Sequence, residues 1–184
     1  LGEIQRGAWI HFADLDGDGD NDALAGGGSD NEYGLILYYE NIGNAAQAAF
    51  IPPAKNPFGV DVAGDDFAMP AAVDIDDDGD LDLMISTYSG LLFLENSGSA
   101  TQPAFEEPVS NPFGMMPVEY MFSPTFADLD NDGDLDLLIG SSYYDEYTYE
   151  AQLFYYENTG DASNPEFGVP VANPFGITEP GYYF

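Results

Sequence analysis

Three stretches of the chain place aspartate at every second position around a glycine: FADLDGDGDNDA at 12–23, AVDIDDDGDLDL at 72–83 and FADLDNDGDLDL at 126–137. Counting from the first aspartate, carboxylates fall at positions one, three, five, seven and nine. They are Asp14, Asp16, Asp18, Asp20 and Asp22; then Asp74, Asp76, Asp78, Asp80 and Asp82; then Asp128, Asp130, Asp132, Asp134 and Asp136. Alternate side chains can gather on one centre only if the backbone turns sharply, and the glycine at position six (Gly19, Gly79, Gly133) permits that turn. An all-oxygen donor set selects a hard cation, Ca²⁺ over Zn²⁺. Positions one, three, five and nine are assigned as side-chain ligands, and position seven as the donor of a backbone carbonyl. Carboxylates held roughly 4–5 Å apart repel by about 1 kcal/mol per pair even in water. Three such loops therefore call for three Ca²⁺ ions.

An EF-hand is the rival arrangement, and the sequence excludes it. It needs a bidentate Glu at position twelve and a following helix. Position twelve is Ala25, Ile85 and Ile139, and the residues around it are β-prone and apolar. The loops must therefore join strands.

The rest of the composition points the same way. The chain of 184 residues carries 34 acidic residues against two Lys and Arg, a net charge of −32. No basic patch for nucleic acid can be built from Arg6 and Lys55. An anionic membrane surface is disfavoured, and no apolar run approaches the roughly 18 residues of a spanning helix. A compact body of this charge repels itself unless cations or salt neutralise it. There is no cysteine, which excludes disulfides and thiol catalysis.

The acidic loops belong to a larger repeat. A second block follows each one: ENIGNAAQAAFIPPAKNPFG from Glu40, ENSGSATQPAFEEPVSNPFG from Glu95 and ENTGDASNPEFGVPVANPFG from Glu157. These three align without a gap, and the length differences fall between the two blocks, where a surface hairpin tip tolerates insertion. The repeats run over about 8–66, 67–120 and 121–184, within one domain. Each predicts four short strands: one entering the acidic loop, one leaving it, one ending at the E-N-x-G segment, and one around Phe50, Phe105 or Phe167. The E-N-x-G glycine is expected at positive φ in a turn, and Asn-Pro-Phe-Gly should end the unit. Helical periodicity is missing. Four antiparallel strands recurring at this spacing predict an all-β chain of three propeller-type blades.

On the F-A-D-L-D-x-D-G-D-x-D-L pattern the chain resembles the FG-GAP/VCBS repeat family, whose relatives include the calcium-binding blades of integrin α-subunits. The resemblance runs from about Ala8 to Phe184. It implies propeller blades with Ca²⁺ held at the matching aspartates, and secreted or surface proteins that serve adhesion and binding. Two departures leave the ligands intact: Ala72 replaces the aromatic before loop 2, and Asn21 and Ala23 replace the leucines beside Asp22.

The functional expectation is an extracellular or cell-surface protein with a structural, adhesive or self-assembling role, as a fibre or surface layer. The alternative is a carbohydrate- or protein-ligand-binding module, using inter-blade pockets or the tyrosines Tyr143, Tyr144, Tyr147 and Tyr149. A hairpin with cross-strand aromatic pairs also accounts for those tyrosines. No catalytic residue is assigned: His11, the single histidine, reads as a strand residue and Trp9 as edge packing. Closed propellers have 4 to 8 blades. Moreover NPFGITEPGYYF at 173–184 parallels NPFGMMPVEYMF at 111–122, which leads straight into repeat 3. The expected partners are therefore further repeats of the same kind or copies of the chain itself.

Overall fold

The computed structural model describes residues 6–28, 34–60, 62, 67–116, 121–144 and 149–177. Its strands form three four-stranded antiparallel sheets, each built from consecutive strands in sequence order. Blade 1 contains β1 (Arg6–Ala13), β2 (Asp22–Gly28), β3 (Leu35–Tyr39) and β4 (Ala54–Lys55). Blade 2 contains β5 (Met69–Val73), β6 (Asp82–Thr87), β7 (Gly90–Leu94) and β8 (Val109–Ser110). Blade 3 contains β9 (Met121–Ala127), β10 (Asp136–Tyr144), β11 (Tyr149–Tyr156) and β12 (Val171–Ala172). Successive blades meet through their first strands, β1 against β5 and β5 against β9.

Blade 2 shows why its strands read as continuous apolar runs rather than as an alternation. Both of its faces are covered, so every side chain needs to be apolar or satisfied. Leu83, Ile85 and Leu94 face blade 1, where they join Leu15, Leu24, Ile36 and Tyr38 in one buried cluster. Met84, Leu91 and Phe93 face the other way, toward Leu137, Ile139 and Tyr156 of blade 3. Among the described residues these are the two larger core clusters, and Ala25, Leu35 and Leu37 form a third. Full burial of a side chain of this size contributes about 1.5–3 kcal/mol.

The expected architecture is present, with two local differences. The fourth strand does not surround the phenylalanine. Phe50, Phe105 and Phe167 each form a single bridge, to Asn41, Asn96 and Asn158. The strand follows a few residues later and is only two residues long. Nor do the E-N-x-G glycines take positive φ. Gly43, Gly98 and Gly160 are needed because a Cβ there would lie 2.2–2.4 Å from the carbonyl oxygen of Gln47, Gln102 or Asn164. Close backbone approach, rather than handedness, selects glycine at these turns.

Asn-Pro-Phe-Gly ends each unit as expected, in an unusual conformation. Asn56, Asn111 and Asn173 have φ of 43°, 48° and 50°, and Phe58, Phe113 and Phe175 have 56°, 56° and 59°. A left-handed phenylalanine costs roughly 1–2 kcal/mol. The same strained turn in every repeat aims the ring at the blade boundary. Phe58 lies 5.8 Å from Phe105 of blade 2, and Phe113 lies 6.1 Å from Phe167 of blade 3, centroid to centroid.

His11 is half-buried against the Ala72 backbone, and burial lowers its pKa. Trp9 packs edge-on to Phe67 at 5.6 Å. Of the predicted tyrosine patch, Tyr143, Tyr144 and Tyr149 lie on the long β10–β11 hairpin, where Tyr144 pairs with Tyr149. Tyr147 lies outside the described residues.

Candidate metal centre

Each acidic loop joins the first and second strands of its blade. Two left-handed residues shape it. Position six is glycine at φ 97°, 97° and 102° in loops 1 to 3. Position four is Gly17, Asp77 and Asn131, at φ 69°, 56° and 67°. Position four was not singled out in the sequence, yet its residue types are those that tolerate this conformation.

Backbone amides then fix the carboxylates. Asp14 accepts from Asp18 N at 3.1 Å and Gly19 N at 3.0 Å. Asp74 accepts from Asp78 N and Gly79 N, both at 3.1 Å. Asp128 accepts from Asp132 N and Gly133 N, both at 3.2 Å. Position five accepts from position seven in each loop, at 3.1–3.2 Å. The loop thus wraps around its own first aspartate.

The result brings three carboxylates together in each blade. One oxygen each from Asp14, Asp16 and Asp18 lies within 4.8 Å of the others, and Asp74, Asp76 and Asp78, and Asp128, Asp130 and Asp132, do the same. Oxygens bound at 2.3–2.6 Å to one Ca²⁺ can be no more than about 5.2 Å apart, so each triad fits a shared ion. Positions seven and nine lie outside these triads. At position seven, Oδ1 of Asp20, Asp80 and Asp134 is buried with no hydrogen-bond partner, as is Oδ1 of Asp76. Buried polar atoms are rarely left unpaired, and an anionic oxygen in that state suits a cation. Burial, followed by the neighbouring carboxylates, raises the pKa of Asp16, Asp20, Asp76, Asp80, Asp130 and Asp134.

Position nine has a further duty. Asp22 is almost fully buried. It accepts from Leu15 N at 3.1 Å, Asn41 N at 2.8 Å and the Tyr38 hydroxyl at 2.9 Å. It ties the loop to the end of β3. Asp136 does the same with Leu129 N at 3.0 Å, Asn158 N at 2.9 Å and the Tyr155 hydroxyl.

The asparagine of E-N-x-G completes this tie, a role the sequence left unassigned although the residue recurs in all three repeats. Asn41 Oδ1 accepts from Gly43 N at 3.1 Å and Ala49 N at 2.8 Å, while Nδ2 donates to Asn21 O at 3.1 Å. Asn96 repeats the pattern with Gly98 N, Ala104 N and Leu81 O. A single buried amide thus joins the metal loop to the following turn.

Comparison with known families bears on blades 2 and 3. Residues 74–139 match the family described as FG-GAP-like repeat, and residues 122–161 match the FG-GAP repeat. This part of the chain is similar to FG-GAP repeats. FG-GAP repeats are propeller blades, and as a family they are generally structural or binding modules and typically extracellular. Repeat 1 lies outside the matched residues, but its loop has the same triad and the same turn. No curated protein and no solved structure matched the chain. Among the described residues, no helix is long and apolar enough to cross a membrane.

Proposed function

We propose that this FG-GAP repeat chain is an extracellular, calcium-stabilised module with a structural role, adhesive or self-assembling. One observation carries it: the same oxygen triad, with buried unpartnered carboxylate oxygens beside it, is built three times in a chain of charge −32. In each loop the carboxylates of positions one, three and five hold the ion. The oxygen of position seven stands beside them, and position nine holds the loop to the blade. Bound Ca²⁺ supplies compensating charge. Because the ion binds the folded loop, its binding energy adds to fold stability. Three ions of charge +2 bring the formal charge from −32 to −26. A structural module needs no catalytic group, and none is assigned.

Isothermal titration of chelator-treated protein with Ca²⁺ tests this. Three bound ions per chain are expected, and Asp132→Ala should lose the blade 3 site. Glu106→Ala should lose none, since Glu106 is exposed and its carboxylate accepts from the Ser97 hydroxyl at 2.6 Å rather than joining a triad. Three unchanged sites in the Asp132 variant would remove the ligand assignment.

A further inference from the structure

The blade boundary is built twice inside the chain, and its two halves are found separately on the outer blades. Three side chains of each blade point forward at the next. The first is position two of the loop: Leu15 and Ile75 are 3% and 2% exposed at the internal boundaries, but Leu129 of blade 3 is 42% exposed. The second is the residue after Asn-Pro-Phe-Gly: Val60 and Met115 are 1% and 5% exposed, but Ile177 is 38%. The third is the left-handed phenylalanine. Phe58 and Phe113 are packed against the following blade, while Phe175 is 64% exposed.

Phe175 is nonetheless already in position. Its φ of 59° matches the 56° of Phe58 and Phe113. Its ring packs on Tyr155 at 5.0 Å, as Phe58 packs on Tyr38 at 5.2 Å and Phe113 on Phe93 at 4.7 Å. The forward half of the contact is made before anything occupies it.

The receiving half shows the converse. Phe105 with Ala72, and Phe167 with Phe126, take up the incoming ring at the internal boundaries. Their blade 1 counterparts, Phe50 and Phe12, are 44% and 56% exposed. Between them lies an open groove of about 300 Å³, lined also by Asp20, Asn41, Asn44 and Ala48. The rest of that face, Ala25, Leu35 and Leu37, is already buried within the chain. Among the described residues, the exposed apolar side chains of this face are Ile10, Phe12 and Phe50.

We propose that the exposed strip of blade 3 docks on the exposed groove of blade 1 in a second copy of this chain, head to tail, with Phe175 seated between Phe12 and Phe50. The contact continues an interface already made twice within the molecule, with the same residue classes on both sides. A heterologous contact of this kind gives a ring if the rotation closes and a filament if it does not. It deepens the self-assembling role proposed above. It does not depend on calcium as such, because high salt also removes the charge repulsion: the screening length falls to about 3 Å at 1 M.

Sedimentation velocity across a concentration series tests it, both in 1 M NaCl and in millimolar Ca²⁺. The wild-type chain should assemble. Phe175→Asp breaks the forward half and Phe50→Asp the receiving half, each at an exposed position, so each variant alone should be monomeric while keeping the circular dichroism of the folded chain. Mixed one to one, they should form a dimer and stop there, because the intact Phe175 of one meets the intact Phe50 of the other. A wild-type chain that stays monomeric in both buffers overturns the proposal. So do single variants that assemble like wild type, or a mixture that stays monomeric. Three calcium sites on a strictly monomeric chain would keep the metal assignment and remove this one.

Discussion

Blades 1 and 3 hold the last aspartate of their loops with three donors, whereas blade 2 has one well-formed bond. Asp82 receives the Asn96 amide at 2.8 Å, and its Oδ2 has no hydrogen-bond partner beyond a weak approach of the Ile75 amide. The cause lies outside the loop. Where blades 1 and 3 have Tyr38 and Tyr155, blade 2 has Phe93, which is equally buried but has no hydroxyl. Burial, with Asp76 and Asp78 nearby, then pushes the Asp82 pKa up to about 7. Three loops with the same aspartate pattern thus differ in the donors that reach the last aspartate, and the third-strand hydroxyl is the one that blade 2 lacks.

The largest effect should come from removing the ions that every loop shares. Chelation restores the repulsion within all three triads at once, so melts with and without Ca²⁺ should differ by well over ten degrees. Equal melting temperatures would mean that the loops fold without cations, and that the contrast between blades is the main electrostatic feature of the molecule.

Next in size is the pH response, and its sign reports on loop occupancy. In the chelated protein the folded pKa of Asp82, about 7, lies above the ordinary value of 3.8. Between those values the folded state holds more protons than the unfolded chain, so stability falls as pH rises through the window. The raised aspartates of positions three and seven act in the same direction. Chelated protein should melt higher at pH 5 than at pH 8. Calcium-loaded protein should show the reverse, because protons compete with the ion for carboxylates. Thermal melts at the two pH values, with and without chelator, check both signs.

The parts of this arrangement that recur in sequence were legible there. The alternating aspartates, the glycine at position six and the gap-free second blocks gave the blades, their order and the loops between strands. Other features leave little trace in composition. The fourth strands are two residues long, too short for alternation to show, and the more conspicuous phenylalanine drew the prediction upstream. The left-handed Phe58, Phe113 and Phe175 go against the preference of their residue type, so only packing across the blade boundary accounts for them. That position 93 is phenylalanine where the other repeats have tyrosine is visible in the sequence, but its meaning depends on knowing that Tyr38 and Tyr155 reach the last aspartate of their loops.

A smaller effect isolates the hydroxyl in blade 1. Tyr38→Phe keeps the ring, which packs on Phe58, and removes the 2.9 Å bond to Asp22. A hydrogen bond to a charged group contributes about 1.5–3 kcal/mol, and Asp22 keeps two amide donors. A loss near the lower end of that range is expected, as a lowered midpoint in a urea titration. An unchanged midpoint would mean that the amides alone hold the loop.

The smallest effect should come from the reverse exchange. Phe93→Tyr adds to blade 2 the hydroxyl that its neighbours have, at a position where Phe93 already packs 4.7 Å from Phe113. By the geometry of the other blades the new hydroxyl meets Oδ2 of Asp82, an acceptor that now has no partner. Placing one extra oxygen in a packed core costs something, which offsets part of the new bond. The net change should therefore be a stabilisation of no more than about 1 kcal/mol. The more sensitive reading is the titration of Asp82 itself. Its pKa should fall from about 7, because the hydroxyl stabilises the charged form, and carboxyl NMR shifts of the chelated variant would follow it. The pH dependence of the chelated protein should flatten by the same amount. If the pKa stays where it is, the missing hydroxyl does not set the difference between the blades, and burial of Asp82 between its neighbours is sufficient to account for it.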